Sequence, residues 1–435
     1  MAQHHLLRPI APGRAVLTDG EGGKVAEALA ALFARLRRVS PHHAGLLSTE
    51  AEQDPMRELG RLPPTDKRTY REVLAVECLA ALGHAGFISD HSSGTTAQPI
   101  TRFSQPVDEL AEQEVTEAAF AAAGVGPGAR VLCVDVDMAE LAEFYARAAR
   151  ARGAAQIAFL HLSADLARTV RCLRRFAPTH LVVTPSLLGR LWQELGEGAG
   201  GLAAPPRGVI SVGEILPDSL RRGVQAAWRG CRFTSFYGTT EVGGMAWECA
   251  AGDGHHFDPA AFVAVLDGMG SLEREGGEGE LLLTTPRHRT QAVVNYRSGD
   301  LVRLDLQPCR CGDPRPRLHT IRRLHEAFVF AGYKFAYDTL AGALTERFPD
   351  LPPVAMTVQD VDGGLGAVLL RLHLPWPSPA GAEDLVSALR GGIPDLDGLA
   401  RRGLLRIEVG REEQAPPVGA RKTRRLVDCR RYRPD

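Results

Sequence analysis

Over residues 24–38 apolar side chains recur every three or four positions, at Val25, Leu29, Leu32, Phe33 and Leu36. That spacing predicts an amphipathic helix near the start of the chain. Further on, short β-rich runs at 131–136, 156–160 and 180–184 alternate with Ala-, Leu- and Arg-rich segments at 138–152 and 164–176. The alternation predicts parallel strands joined by crossover helices, an α/β fold. Strands at 209–212 and 233–236 continue the series, each followed by a glycine-containing loop, and loops at strand ends are where such a sheet places its ligand. From 262 to 303 the pattern shortens to hairpin-like runs at 280–285, 292–296 and 301–304. Beyond Arg323 it reads as a smaller α+β unit: strands at 327–330, 355–358, 365–374 and 404–409, and helices at 337–348 and 382–389. Pro375-Trp376-Pro377-Ser378-Pro379 cannot continue a strand ladder and predicts a surface loop before the second of these helices.

A chain of 435 residues exceeds what one hydrophobic core organises, so at least two domains are expected. With 24% charged residues and a formal net charge of −1, it carries no general footprint for nucleic acid or a membrane surface. No uncharged apolar run is long enough to span a bilayer, and the N-terminus has no apolar stretch with a small-residue cleavage site. The expected compartment is therefore the cytoplasm. The partners expected are small molecules, and a homodimer is the one assembly allowed for. Eight cysteines are too sparse and uneven for a disulfide scaffold. Cys78, Cys133, Cys172 and Cys231 read as ordinary buried thiols.

Four segments carry chemistry. His91-Ser92-Ser93-Gly94-Thr95-Thr96-Ala97-Gln98-Pro99 is a hydroxyl-rich loop suited to wrapping phosphate oxygens. Phe236-Tyr237-Gly238-Thr239-Thr240-Glu241-Val242-Gly243-Gly244 offers a carboxylate able to hold Mg²⁺ between phosphates. Tyr296-Arg297-Ser298-Gly299-Asp300 offers one able to accept from two ribose hydroxyls. Lys422, in a basic run near the C-terminus, could bring a mobile cation to a developing negative charge. Separately, Cys309-Arg310-Cys311 directs two thiolates to one point, with Gly312 permitting the turn. Cys249 together with His255 or His256 would complete a tetrahedral zinc site.

In this order the segments resemble the adenylate-forming superfamily and, within it, the phenylacetate-CoA ligase family. The resemblance covers most of the chain. It begins at Leu62-Pro63-Pro64-Thr65-Asp66-Lys67 and runs through the phosphate loop, Val212-Gly213-Glu214, residues 237–244, Gly279-Glu280-Leu281, residues 296–300 and the terminal lysine. It implies a large multi-layer adenylation domain over 1–322, with parallel sheets and a β-rich subdomain, and a small mobile α+β lid over 323–435. It implies ATP, Mg²⁺ and coenzyme A, and a carboxylic acid, by family expectation aromatic, activated as its acyl adenylate. Ser92, Ser93, Gly94, Thr95 and Thr96 would then hold the β- and γ-phosphates and Thr240 the α-phosphate. Glu241 would hold Mg²⁺ and Asp300 the ribose. Tyr237 and Gly238 would lie at adenine, with Gly213 and Glu214 in the same nucleotide site, Arg323 at the hinge and Lys422 at the reacting oxygens. The family's spacing also falls on His256 rather than His255, implying a structural Zn²⁺ on Cys249, His256, Cys309 and Cys311.

The chain departs from the family at two places. Ala97-Gln98 replaces a Gly-Lys pair, removing a cation from the phosphate loop. Arg322-Arg323-Leu324-His325-Glu326 replaces Gly-Arg-Ser-Asp-Asp, changing the pivot to His325, while Gly332 is retained. These changes keep two rivals in view. One is an adenylating relative with another second step, amide formation or nitrite activation for diazotisation of an aryl amine. The other is a non-catalytic nucleotide-binding protein.

Overall fold

The computed structural model describes residues 5–19, 22–82, 88–91, 100–134, 142–160, 166–195, 202, 204–213, 216, 218–268, 276–323, 327–331, 333–349, 351, 354–361, 366–375, 380–412 and 426–430. Among them, thirteen strands form one continuous sheet with a parallel half and an antiparallel half. In the parallel half, Gln156–Leu160, Arg130–Val134, His180–Val183, Gly208–Ser211 and Arg232–Thr239 lie side by side in that order. Val131 and Cys133 face Phe120, Tyr145, Ala148 and Ile210, whereas Leu132 and Val134 face Leu173, Leu188, Val224 and Trp228. Both faces are covered at the centre of the sheet, which is why Arg130–Val134 and His180–Val183 read as nearly unbroken apolar runs.

Gly243–Glu248 turns back antiparallel on Arg232–Thr239 and opens the other half. His255–His256, Arg317–Arg323, Tyr296–Asp305, Gly276–Thr284, Val263–Asp267, Arg14–Thr18 and Leu6–Ala11 follow, every neighbour antiparallel. The expected first helix is Gly23–Val39, and its five predicted apolar positions pack on Val16, Val263, Val265 and Leu282. Each such side chain, taken from water to a core, contributes roughly 1.5–3 kcal/mol. Arg37 and Arg38 in the last turn complement the helix dipole.

Residues between Phe328 and Leu426 build a core of their own. A four-stranded sheet in the order Leu405–Glu412, Val368–Pro375, Ala355–Asp360 and Leu426–Asp428 packs with the helices Tyr337–Arg347, Ala382–Gly392 and Pro394–Arg401. The pair Ala327–Phe330 and Tyr333–Ala336 leads into it. Among the described residues no helix is long and apolar enough to cross a membrane.

Three expectations need correction. Of the strand expected at 292–296, residues 292–295 are not a strand. Val293 and Asn295 donate their N–H groups to the hydroxyls of Thr285 and Thr284, and Asn295 adopts φ 49°, so side-chain oxygens take the place of a ladder. The strand expected at 233–236 runs on to Thr239, so Tyr237 and Gly238 lie within it and not in a loop. The strand expected at 301–304 starts at Tyr296 and so contains the whole 296–300 motif. In the C-terminal region, the strands Tyr333–Ala336 and Leu426–Asp428 and the helix Pro394–Arg401 went unforeseen.

The core also predicts acid sensitivity. Burial pushes His43 down to about 4 and His288 down to about 3, the latter with further help from Arg102. Each ring is neutral when folded and free to charge near 6.5 when unfolded, so its contribution is complete above about pH 6.5 and fades as pH falls towards the folded value. Denaturant melts at pH 7 and pH 5 should differ by on the order of 1–2 kcal/mol per buried histidine. His43→Gln should flatten part of that slope.

Candidate active site

The turn between Arg232–Thr239 and Gly243–Glu248 carries the two middle residues of the Thr240-Glu241 motif, with Thr239 paired to Gly243 across its mouth. Val242 is fully buried and pins the turn to the core. A side chain at Gly238 would overlap the Gly243 carbonyl, so the two strands approach as closely as they do because position 238 has no Cβ. Thr240 is half-buried and Glu241 only 4% exposed. The Tyr296 hydroxyl donates to the Glu241 carboxylate, the Tyr70 hydroxyl to its main-chain carbonyl at 3.4 Å, and the Lys67 ammonium stands 3.7 Å from Oε1. Lys67 is placed there by its neighbour Thr65, whose N–H donates to the Asn295 carbonyl at 3.0 Å and whose carbonyl accepts from Arg297 N–H at 2.9 Å.

The second carboxylate, Asp300, is fully buried and accepts from the Tyr237 hydroxyl at 2.6 Å. Gly299 just before it has φ 73°, and the ladder to Arg317–Arg323 shifts register between Leu301 and Val302. A bulge of this kind re-aims a side chain out of the pleat. The backbone of Arg323 pairs opposite Asp300, so the expected hinge leaves the sheet directly beside the expected ribose residue. Gly213 follows the end of Gly208–Ser211 with φ 76°. Residues 92–99, Glu214, His325, Gly332 and Lys422 lie outside the described residues, as does the Arg323 side chain. The strands flanking 92–99, Ile88–His91 and Thr101–Ser104, pair antiparallel with His91 opposite Thr101.

The four cysteine and histidine residues singled out in the sequence converge: the ligand atoms of Cys249, His256, Cys309 and Cys311 lie within 4.8 Å of one another. Cys249 Sγ and Cys309 Sγ are 3.6 Å apart, and Cys311 Sγ is 3.3 Å from His256 Nε2. A tetrahedral zinc with ordinary bond lengths needs edges of about 3.8 Å between sulfurs and about 3.6 Å from sulfur to nitrogen, so the set fits that ion. His256 Nδ1 donates to the Arg315 carbonyl at 2.9 Å, leaving Nε2 for a metal. His255, next along the strand, faces the other way and contacts Ser235 Oγ at 2.8 Å, so of the two rings it is His256 that joins the cluster. Burial pushes the Cys249 thiol up to about 12, so a metal would displace its proton on binding.

The AMP-binding enzyme family matches residues 87–288. A phenylacetate-coenzyme A ligase of Thermus thermophilus is 25% identical over 433 residues, covering 93% of this chain and 96% of its own. A second, from Aromatoleum evansii, is 25% identical over 280 residues, covering 60% of each chain. The chain is thus similar to AMP-binding enzymes over 87–288 and to phenylacetate-CoA ligases over most of its length. These similarities support an ATP-dependent, AMP-forming enzyme of the CoA-ligase type. Its fold is shared with a solved 2-hydroxyisobutyryl-CoA ligase bound to 2-HIB-AMP and CoA in the thioesterification state, at TM-score 0.66 and 16% identity, covering 94% of this chain and 90% of that one.

Sequence reasoning about this phenylacetate-CoA ligase relative missed the groups that hold its carboxylates. Lys67 and Tyr296 each stood inside a recognised motif, yet neither was given a role at Glu241. Tyr237, expected only against adenine, also holds Asp300 through its hydroxyl. Tyr70 carried no signal, since an aromatic residue at helical spacing reads as core. Arg102 and Glu112 carried none either, because their meeting depends on packing between separate elements.

Proposed function

We propose that the protein activates a carboxylic acid, most simply an aromatic one, as its acyl adenylate with release of pyrophosphate, and then transfers the acyl group to coenzyme A. The observation that carries this reading is the pair of buried carboxylates, Glu241 and Asp300, each accepting from a tyrosine hydroxyl on another strand of the same sheet, Tyr296 for Glu241 and Tyr237 for Asp300. Fixed acceptors of this kind suit a metal-bridged triphosphate at one end of a nucleotide and a ribose at the other. The substrate carboxylate attacks the α-phosphorus, the bond to the bridging oxygen breaks, and pyrophosphate leaves with that electron pair. The protein's part is positioning and charge neutralisation. In this reading Glu241 would hold Mg²⁺, Thr240 the α-phosphate, Asp300 the ribose hydroxyls, residues 92–96 the outer phosphates and Lys422 the reacting oxygens. Residues 323–435 act as a lid that brings Lys422 in, and the protein works in the cytoplasm. The test is mass analysis of reactions holding MgATP and an aryl acid, with and without coenzyme A. A thioester only when coenzyme A is present supports the reading; acid-dependent AMP without a thioester points to another acceptor.

We assign zinc to the cluster of Cys249, His256, Cys309 and Cys311, in a structural role. It would tie the strand leaving the Glu241 turn to Arg317–Arg323, which ends at the hinge. Cys309→Ser should empty the site and lower the melting temperature by about 5–10 °C, the shift expected when a large domain loses a few kcal/mol. Elemental analysis and a thermal melt check this together. Wild-type protein with no bound zinc would remove the assignment.

A further inference from the structure

Two hairpins that the adenylation reading aims at the triphosphate meet at one buried carboxylate. Arg102 lies on Thr101–Ser104, the strand that leaves residues 92–99, and its guanidinium pairs with Glu112 on the helix Glu109–Ala122. Both residues are about as buried as core aliphatics, at 4% and 5% exposure. The second Glu112 oxygen accepts from the main-chain N–H of Gly244 at 3.3 Å, three residues beyond Glu241. Gly243 makes this approach possible: it has φ 80°, and an added Cβ would overlap both the Glu112 carboxylate and the Arg102 guanidinium. Glu112 is itself fixed one helical turn on, where Thr116 Oγ1 donates to its carbonyl at 2.7 Å.

We propose that Glu112 is a positioning residue that locks the phosphate-loop hairpin to the hairpin carrying Glu241, with Arg102 as its partner. The inference rests on the adenylation reading and adds to it a pair to which that reading gives no role. With Ala97-Gln98 where relatives carry Gly-Lys, the loop has no lysine to fasten it from the ligand side. The Arg102–Glu112 pair instead fastens Thr101–Ser104, the strand that follows the loop. A buried, charge-assisted link of this sort sets the register of the elements it joins, because removing either partner strands the other charge away from water. Separating the two hairpins would spoil the geometry with which loop hydroxyls and Glu241 share one MgATP. It would spare the adenosine end, which depends on Tyr237 and Asp300.

The pair is tested by titration calorimetry of MgATP and of AMP into wild type, Glu112→Ala, Glu112→Gln and Arg102→Met. Glu112→Ala and Arg102→Met should each weaken MgATP at least about tenfold while AMP changes less than about threefold. Glu112→Gln keeps the shape and an acceptor for Gly244 and should lose about threefold to fivefold for MgATP; it carries the test if the alanine variant does not fold. Unchanged MgATP affinity in a folded variant, or equal losses for both nucleotides, overturns the proposal. A wild-type protein that binds no MgATP overturns the nucleotide reading beneath it instead.

Discussion

Glu241→Gln is expected to lower acid-dependent pyrophosphate release by at least about a hundredfold, because a metal held by a fixed carboxylate is worth several kcal/mol of transition-state charge stabilisation. The substitution is chosen for what it leaves in place. The Tyr296 hydroxyl needs an acceptor at this buried position, and the glutamine carbonyl supplies one, so the fold should tolerate the change. Lys67, 3.7 Å from the carboxylate, would lose its counter-charge and turn towards solvent, where it is already 40% exposed. The expected pattern is a large fall in release that added Mg²⁺ restores only in part, with a melting temperature within a few degrees of wild type. Release close to the wild-type rate would take the metal role away from Glu241.

Lys422→Ala should produce a loss of similar size in the adenylation step alone, on the order of a hundredfold, the scale seen when one preorganised charge is removed from a developing anion. Four residues after it, Leu426–Asp428 joins the C-terminal sheet in parallel beside Met356, Thr357 and Val358, and Leu426 is buried in that unit's core. The chain that bears the lysine is thus anchored by a strand that the substitution does not touch. Arg421, Arg424 and Arg425 flank it. They are the natural understudies, so Arg421→Ala belongs in the same series as a control. Supplying pre-formed acyl adenylate and coenzyme A separates the two half-reactions. Thioester formation from the adenylate should survive in Lys422→Ala, and a parallel loss in both halves would point to a damaged lid.

How much could be read from the chain depends on whether a feature is local. The first helix was legible because its apolar stripe faces a single sheet, and the parallel strands because burial on both faces makes them continuously apolar. The zinc-type cluster was legible because Cys309 and Cys311 are one residue apart and chemically specific, although the choice of His256 over His255 needed the family spacing and is explained only by the alternation of a strand. The 236–244 and 296–300 motifs were recognised as chemistry but read as loops. Their glycines suggested turns, whereas in the fold Gly238 permits a close strand pair and Gly299 a bulge inside a ten-residue strand. What remained illegible were contacts made at long range: Tyr296 with Glu241, Tyr237 with Asp300, and Arg102 with Glu112. In each, a polar group is satisfied by a partner on another element, which no local pattern can announce.

The central claim is adenylation of a carboxylic acid, and pyrophosphate release from MgATP tests it most directly. The reaction is run across a panel of aryl carboxylic acids, with a no-acid control and with aryl amines plus nitrite. The account predicts release that depends on one or more of the acids, requires Mg²⁺ and is lost in Glu241→Gln. Release driven by nitrite and amine without any acid, or no release above the control across the whole panel, would contradict it.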